Sequence, residues 1–142
     1  MFKFKLEKLL KIRKKEEEDL GNLYALKLKE IEKEKINLNK IKEEENKIKK
    51  DKIKKKLIAS ELVQLQNYLI ALKKRENEQI FKIKELENEA ENLKNQLLEA
   101  RKRRKILETL KERQYLKYLQ NEKLAEQKTI DEIGVIRHLK KK

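Results

Sequence analysis

The chain has 142 residues and a formal net charge of +14; 46% of its residues are charged and 37% are hydrophobic. So few apolar residues argue against a globular core, and no apolar run approaches the roughly 18 residues of a membrane span. The absence of cysteine excludes disulfides and thiolate metal sites. With no proline, two glycines and many Lys, Glu, Leu and Ile residues, the composition predicts long helices or coiled coil rather than disorder.

The first predicted helix covers about residues 3–56. Its apolar residues recur near one stripe, although the pattern is rough. Gly21 interrupts the helix at a tolerable cost of about 1 kcal/mol. The stripe contains Leu6, Leu9, Leu20, Tyr24, Ile31, Leu38, Ile41 and Ile48, with Leu10, Leu23, Leu28 and Ile36 beside it.

A turn is predicted at about residues 57–60. The segment 47–56 holds seven lysines and one acidic residue. Cations collect at a helix C-terminus because it carries partial negative charge. Ser60 then offers an N-cap oxygen, and Glu61 follows in the first turn of a new helix.

The second predicted helix covers about residues 61–138 and carries the clearest pattern in the chain. Steps of three and four residues give spacing that averages 3.5, which is typical of a left-handed coiled-coil seam. Glu76, Gln79 and Arg104 interrupt an otherwise apolar series. The series is Leu62, Leu65, Leu69, Leu72, Glu76, Gln79, Ile83, Leu86, Ala90, Leu93, Leu97, Ala100, Arg104 and Leu107.

Folding the chain back about residue 58 brings the two stripes together. Residues whose numbers sum to about 117 then face each other, so that Leu86 meets Ile31 and Leu93 meets Tyr24. A turn at residues 75–79 matches worse, because it places apolar residues against lysines. The sequence therefore predicts an all-α fold, a single antiparallel coiled-coil hairpin over residues 1–142. At 1.5 Å per residue the paired part is roughly 80 Å long.

The second helix is predicted to extend past the first beyond about residue 114. This overhang carries apolar residues that have no partner within the hairpin, and an uncovered apolar stripe indicates that another protein binds there. Its apolar residues are Tyr115, Leu116, Tyr118, Leu119, Leu124, Ile130, Ile133, Val135 and Ile136.

Residues 101–105 form a run of five basic side chains, Arg-Lys-Arg-Arg-Lys. At 100° per residue such a run spreads around a helix and cannot form one basic face. A nucleic-acid-binding helix normally repeats basic residues on one face. We therefore expect a solvated surface or a protein contact here, and no nucleic acid partner.

The aromatic residues leave two readings open. Tyr68 follows the turn, where it either packs at the tip or meets another protein. Phe2 and Phe4 either anchor the N-terminal segment on the second helix or dock on a partner.

We expect no enzymatic activity, no cofactor and no metal. His138 is the only histidine, the chain has no glycine-rich loop, and two paired helices offer no concave pocket that excludes water.

Four segments resemble the flagellar export protein FliJ family. They are the opening FKFKLEKLLKIRKKEEE (2–18), the segment IASELVQLQNYL (58–69), the basic run with the following residues (100–115), and EQKTIDE (126–132). Their order and the length of the chain extend the resemblance over nearly the whole sequence.

The resemblance implies a cytoplasmic component of the type III flagellar export apparatus, peripheral at the inner membrane. FliJ-type proteins are similar to the central stalk of rotary ATPases, bind the hexameric export ATPase, reach the cytoplasmic domain of the export gate, and escort export chaperones. On that model the gate end carries Tyr68, Leu69 and Leu72. The ATPase end carries Phe2, Phe4, Leu6, Arg101, Arg103, Tyr115, Tyr118, Leu119, Asp131 and Glu132.

Two other functions remain open from the sequence. A self-associating structural coiled coil has the same periodicity, and a basic nucleic-acid-binding helix has the same charge.

Overall fold

A computed structural model describes residues 1–54 and 56–140. It contains two helices, α1 (Glu7–Lys54) and α2 (Ala59–Lys140), and these described ranges hold no strand. The all-α fold of two long, contacting helices predicted from the sequence is confirmed.

The helix ends differ from the predicted ones by a few residues. α1 begins at Glu7 instead of about residue 3, after a turn in which the Glu7 N–H donates to the Phe4 carbonyl at 3.1 Å. α2 begins before Ser60, and its first turn is closed by the Leu62 N–H donating to the Ile58 carbonyl at 3.1 Å. Ser60 therefore lies inside the helix and is not the N-cap. Lys55, which the predicted first helix includes, and residues 141–142 of the predicted domain lie outside the described residues.

The chain divides into two compact units through which both helices pass. Unit 1 comprises residues 1–18 and α2 from Leu98 onward, and unit 2 comprises Asp19–Leu97.

In unit 2 the helices run antiparallel. Lys27 of α1 pairs with Glu89 of α2 at 2.8 Å, whereas Lys52, further along α1, donates to Gln66, which lies earlier in α2, at 3.0 Å. The sums of residue numbers in these two pairs lie within one of the predicted value. A core cluster of Ile31, Leu86 and Ala90, with Tyr24 packed against it, joins the helices.

Unit 1 has its own core, in which the N-terminal residues pack on α2. Phe4, Leu10 and Leu107 are buried together, and Phe2, Leu9 and Leu110 pack against them. Glu7 and Lys111 pair across the helices at 2.8 Å, again close to the predicted facing positions.

The predicted seam of α2 is the buried face of the helix. Thirteen of its fourteen positions are buried or half-buried, including all three polar ones, and Leu62 is the exception. The rougher α1 stripe contains one misassignment. Leu10 is only 1% exposed whereas Leu6, assigned to the stripe, is 38% exposed. Gly21 does not break α1, and it faces Leu97 of α2.

Candidate partner-binding surfaces

The C-terminal part of α2 is a helix with no buried residue. Every residue from 119 to 140 is exposed, and we call this segment the tail. The sequence predicted such an overhang from about residue 114, but Tyr118 is still half-buried, so the tail begins slightly later. Its exposed large apolar side chains are Leu119, Leu124, Ile130, Ile133, Val135, Ile136 and Leu139.

An aromatic contact marks the point where packing ends. The Phe2 ring lies 5.3 Å from the Tyr115 ring in an edge-to-face arrangement and 5.6 Å from the Tyr118 ring, measured between centroids. Such pairs contribute about 0.5–1.5 kcal/mol beyond area burial. Phe4 is a core residue. Of the two readings of Phe2 and Phe4, the structure favours anchoring on α2.

Two residues of the basic run bind a carboxylate of α1. Arg101 donates to Glu17 at 3.4 Å, and Arg104 donates to the same carboxylate while pairing with Glu108 at 2.7 Å. Arg104 occupies a seam position, so its aliphatic stem covers apolar surface and its charge is neutralised by Glu17. Arg103 is exposed. Part of the run thus joins the helices of unit 1, and Arg103 remains available to a partner.

We predict that Glu17→Gln lowers the stability of unit 1 at neutral pH and weakens its acid sensitivity. The hydrogen bond from Arg104, above all, holds the pKa of Glu17 below its ordinary value. Stability from a carboxyl with a depressed pKa is present above the unfolded pKa and is lost as pH falls through the folded one. Urea unfolding followed by circular dichroism at pH 7 and in acid tests this. Glu112→Gln, at an exposed position of α2 in unit 1, is the control. Equal acid sensitivity of wild type and Glu17→Gln would contradict it.

The acidic pair of the tail lies in solvent. Asp131 accepts a hydrogen bond from Gln127 one turn earlier at 3.1 Å, and Glu132 is exposed. Both carboxylates are accessible, as their assignment to a partner surface requires.

The three residues assigned to the gate end differ in accessibility. Tyr68 is exposed and its hydroxyl donates to Glu44 of α1, and this hydrogen bond raises the pKa of Tyr68. Leu69 is half-buried. Leu72 is only 1% exposed and packs as a core residue, so it offers a partner no surface while the helices of unit 2 stay together.

One buried pair escaped the sequence analysis. Glu76 was recognised as a polar interruption of the seam, but Glu45 was not identified as its counterpart on α1. Antiparallel pairing places Glu45 opposite Glu76 only when the register of the two helices is known to within one helical turn. The rough apolar pattern of α1 does not define the register that closely.

In residues 1–54 and 56–140, no group of three or more His, Cys, Asp or Glu side chains is arranged to hold a metal ion. Within the same residues, neither helix is apolar enough over a sufficient length to cross a membrane.

Two antiparallel helices, separate cores in each unit and an exposed apolar tail define the class of the protein: an all-α coiled-coil hairpin with surfaces suited to binding other proteins. The family model described as "Flagellar FliJ protein" matches residues 2–142, and the chain belongs to this family. It is accordingly a component of the flagellar protein export apparatus. Comparisons with curated proteins and with solved structures gave no match.

Proposed function

We propose that this protein is the central stalk and an export chaperone of the flagellar export apparatus. In this role it binds the hexameric export ATPase through the end of unit 1 and contacts the cytoplasmic domain of the export gate through residues around Tyr68 and Leu69. It acts at the cytoplasmic face of the inner membrane and also escorts substrate-specific export chaperones.

The observation that carries this proposal is the tail. Residues 119–140 form regular helix with seven large apolar side chains in water. Burying one such side chain fully is worth about 1.5–3 kcal/mol, so a helical surface of this kind favours a protein partner that covers it. A single narrow helix fits the central opening of a ring.

Charge supports the same partner. A net charge of +14 accelerates encounter with an acidic surface and makes the rate depend strongly on salt. The proposed ATPase surface also contains four charged residues, Arg101, Arg103, Asp131 and Glu132. It further includes Leu6 and the aromatic residues that pack beside the tail, Phe2, Tyr115 and Tyr118.

The protein acts by binding and not by catalysis in this proposal. A stalk changes the activity of a ring only when it binds some conformations of the ring more tightly than others. Stimulation of ATP hydrolysis is therefore the functional readout, although the stalk contributes no catalytic residue.

Two truncations test the proposal. A chain ending at Asn121 loses nearly the whole tail but keeps Tyr115 and Tyr118, which contact Phe2. A chain ending at Gln114 loses the tail and these contacts. We expect both to fail to stimulate ATP hydrolysis and hexamer formation by the partner ATPase. Stimulation equal to that of the full chain by both truncations would refute insertion of the tail.

A second copy of the chain is the alternative occupant of the apolar tail. Analytical ultracentrifugation distinguishes the two, because self-association predicts dimers or larger assemblies and the stalk predicts a monomer. Binding to nucleic acid that survives near-physiological salt would point instead to the third function left open by the sequence.

A further inference from the structure

Two carboxyl groups lie inside the helix pair of unit 2. Glu45 of α1 is 8% exposed and Glu76 of α2 is 6% exposed. The Oε1 atom of Glu45 is buried and has no hydrogen-bond partner. Carboxylates are almost never this buried unless they are paired with a cation or hydrogen-bonded, because burial penalises the charged form.

The two buried carboxyl groups act on each other, because each shifts the pKa of the other. A carboxylate is only an acceptor, so a hydrogen bond between two carboxyl groups requires one proton between them. Burial, and then the neighbouring Glu76, raise the pKa of Glu45, whereas Glu45 lowers the pKa of Glu76. With one proton shared between them, the two buried groups carry a single negative charge.

The surrounding charges fit a pair with one negative charge. Lys73 on α2 lies 3.4 Å from the Glu76 carboxylate, but 64% of its side chain is exposed. Lys42 and Lys49 on α1 act at longer range, on Glu76 and on Glu45 respectively. The positive charge of these lysines favours one ionised carboxyl group in the pair. The second group, Glu45, lies beside Glu76 and has an oxygen atom without a hydrogen-bond partner.

We infer that Glu45 and Glu76 form a proton-binding site that controls how tightly α1 and α2 pair in unit 2. With one proton, the two carboxyl groups join the helices. When that proton leaves, two like charges face each other in a poorly hydrated seam, and the helices separate locally. Leu72 lies one turn before Glu76 and is uncovered by this separation. The inference does not depend on which partner the protein binds.

The pH window follows from the two shifts. A carboxyl with a raised pKa stabilises pairing while it is protonated, and this contribution is lost as pH rises through its folded pKa. Glu76, whose pKa is lowered, acts in the opposite sense and loses its contribution as pH falls through its folded pKa. Pairing is tightest at intermediate pH. The loss of stability at higher pH is the informative measurement. At low pH the same loss also arises at Glu7, Glu17 and Glu34, whose stabilising interactions disappear in acid.

The test compares the full chain with Glu45→Gln, whose amide imitates the protonated carboxyl at every pH. Urea unfolding and hydrogen exchange of the segments around residues 45 and 76 are measured from mildly acidic to mildly alkaline pH. The wild type is expected to lose stability as pH rises, with up to about a tenfold change in the opening equilibrium per pH unit for one proton. Glu45→Gln should not lose stability as pH rises, and the exposed Glu43→Gln should follow the wild type.

A direct readout keeps the inference testable if Glu45→Gln does not fold. Carbon NMR of the carboxyl groups in the wild-type chain should show one buried glutamate that titrates above the ordinary range. That signal should move or disappear in Glu76→Gln. Parallel pH profiles for wild type and Glu45→Gln, or no such glutamate in the NMR titration, would overturn the inference.

Discussion

Leu10→Ala is expected to reduce the free energy of unfolding by about 2–5 kcal/mol, the range for deleting a fully buried leucine side chain. Leu10 is 1% exposed and lies in one cluster with Phe4 and Leu107. Native proteins are stable by only about 5–15 kcal/mol, so this single change removes a large fraction of the total. Alanine propagates a helix well, so the loss comes from packing and not from helix propensity.

Urea unfolding followed by circular dichroism measures this loss, and Leu26→Ala is the matched control. Leu26 is also in α1 and undergoes the same chemical change, but it is largely exposed. The control should stay close to wild type. A similar small effect for both variants would mean that the N-terminal segment does not pack on α2 as described.

The seam of α2 was predictable because its period is strict over many turns. A residue three or four positions from a buried one returns to the same face, whatever its polarity. That rule placed Gln79 and Arg104 on the buried face, and each finds a partner on α1. The Gln79 amide donates to the Glu34 carbonyl at 3.0 Å, and Arg104 binds Glu17. The backbone geometry overrode residue type at these positions.

The packing of α1 was less predictable, since its apolar residues occupy several neighbouring stripes. The choice of Leu10 over Leu6 as the core residue depends on where Phe4 and Leu107 lie, and no local pattern encodes that. The position at which α1 begins also depends on tertiary contacts that no local pattern encodes. Phe2 and Phe4 form tertiary contacts that hold the first residues outside the helix, although their composition allows helix. The exposure of the tail followed from helix lengths alone, but its partner came from family resemblance.

Ile130→Asp combined with Ile133→Asp is expected to weaken binding to the export ATPase by roughly 100-fold or more while leaving the folded hairpin intact. The two residues lie three apart on neighbouring positions of one helix face and are 61% and 46% exposed. Each fully buried isoleucine is worth about 1.5–3 kcal/mol at an interface, and 1.4 kcal/mol is a factor of ten in affinity. Because both side chains already lie in water, the change should leave the urea midpoint close to that of wild type.

The control separates apolar contact from charge. Lys123→Gln combined with Lys128→Gln lowers the net charge by the same two units at exposed tail positions and leaves every apolar residue in place. Affinity for the purified ATPase is measured for wild type and both double variants at low and near-physiological salt. If the apolar face of the tail binds the ring, only the aspartate variant loses affinity at both salt concentrations. If both double variants lose affinity equally and the losses disappear at higher salt, charge and not apolar contact holds the tail. The apolar contact with the ring would then have to lie on a different surface of the protein.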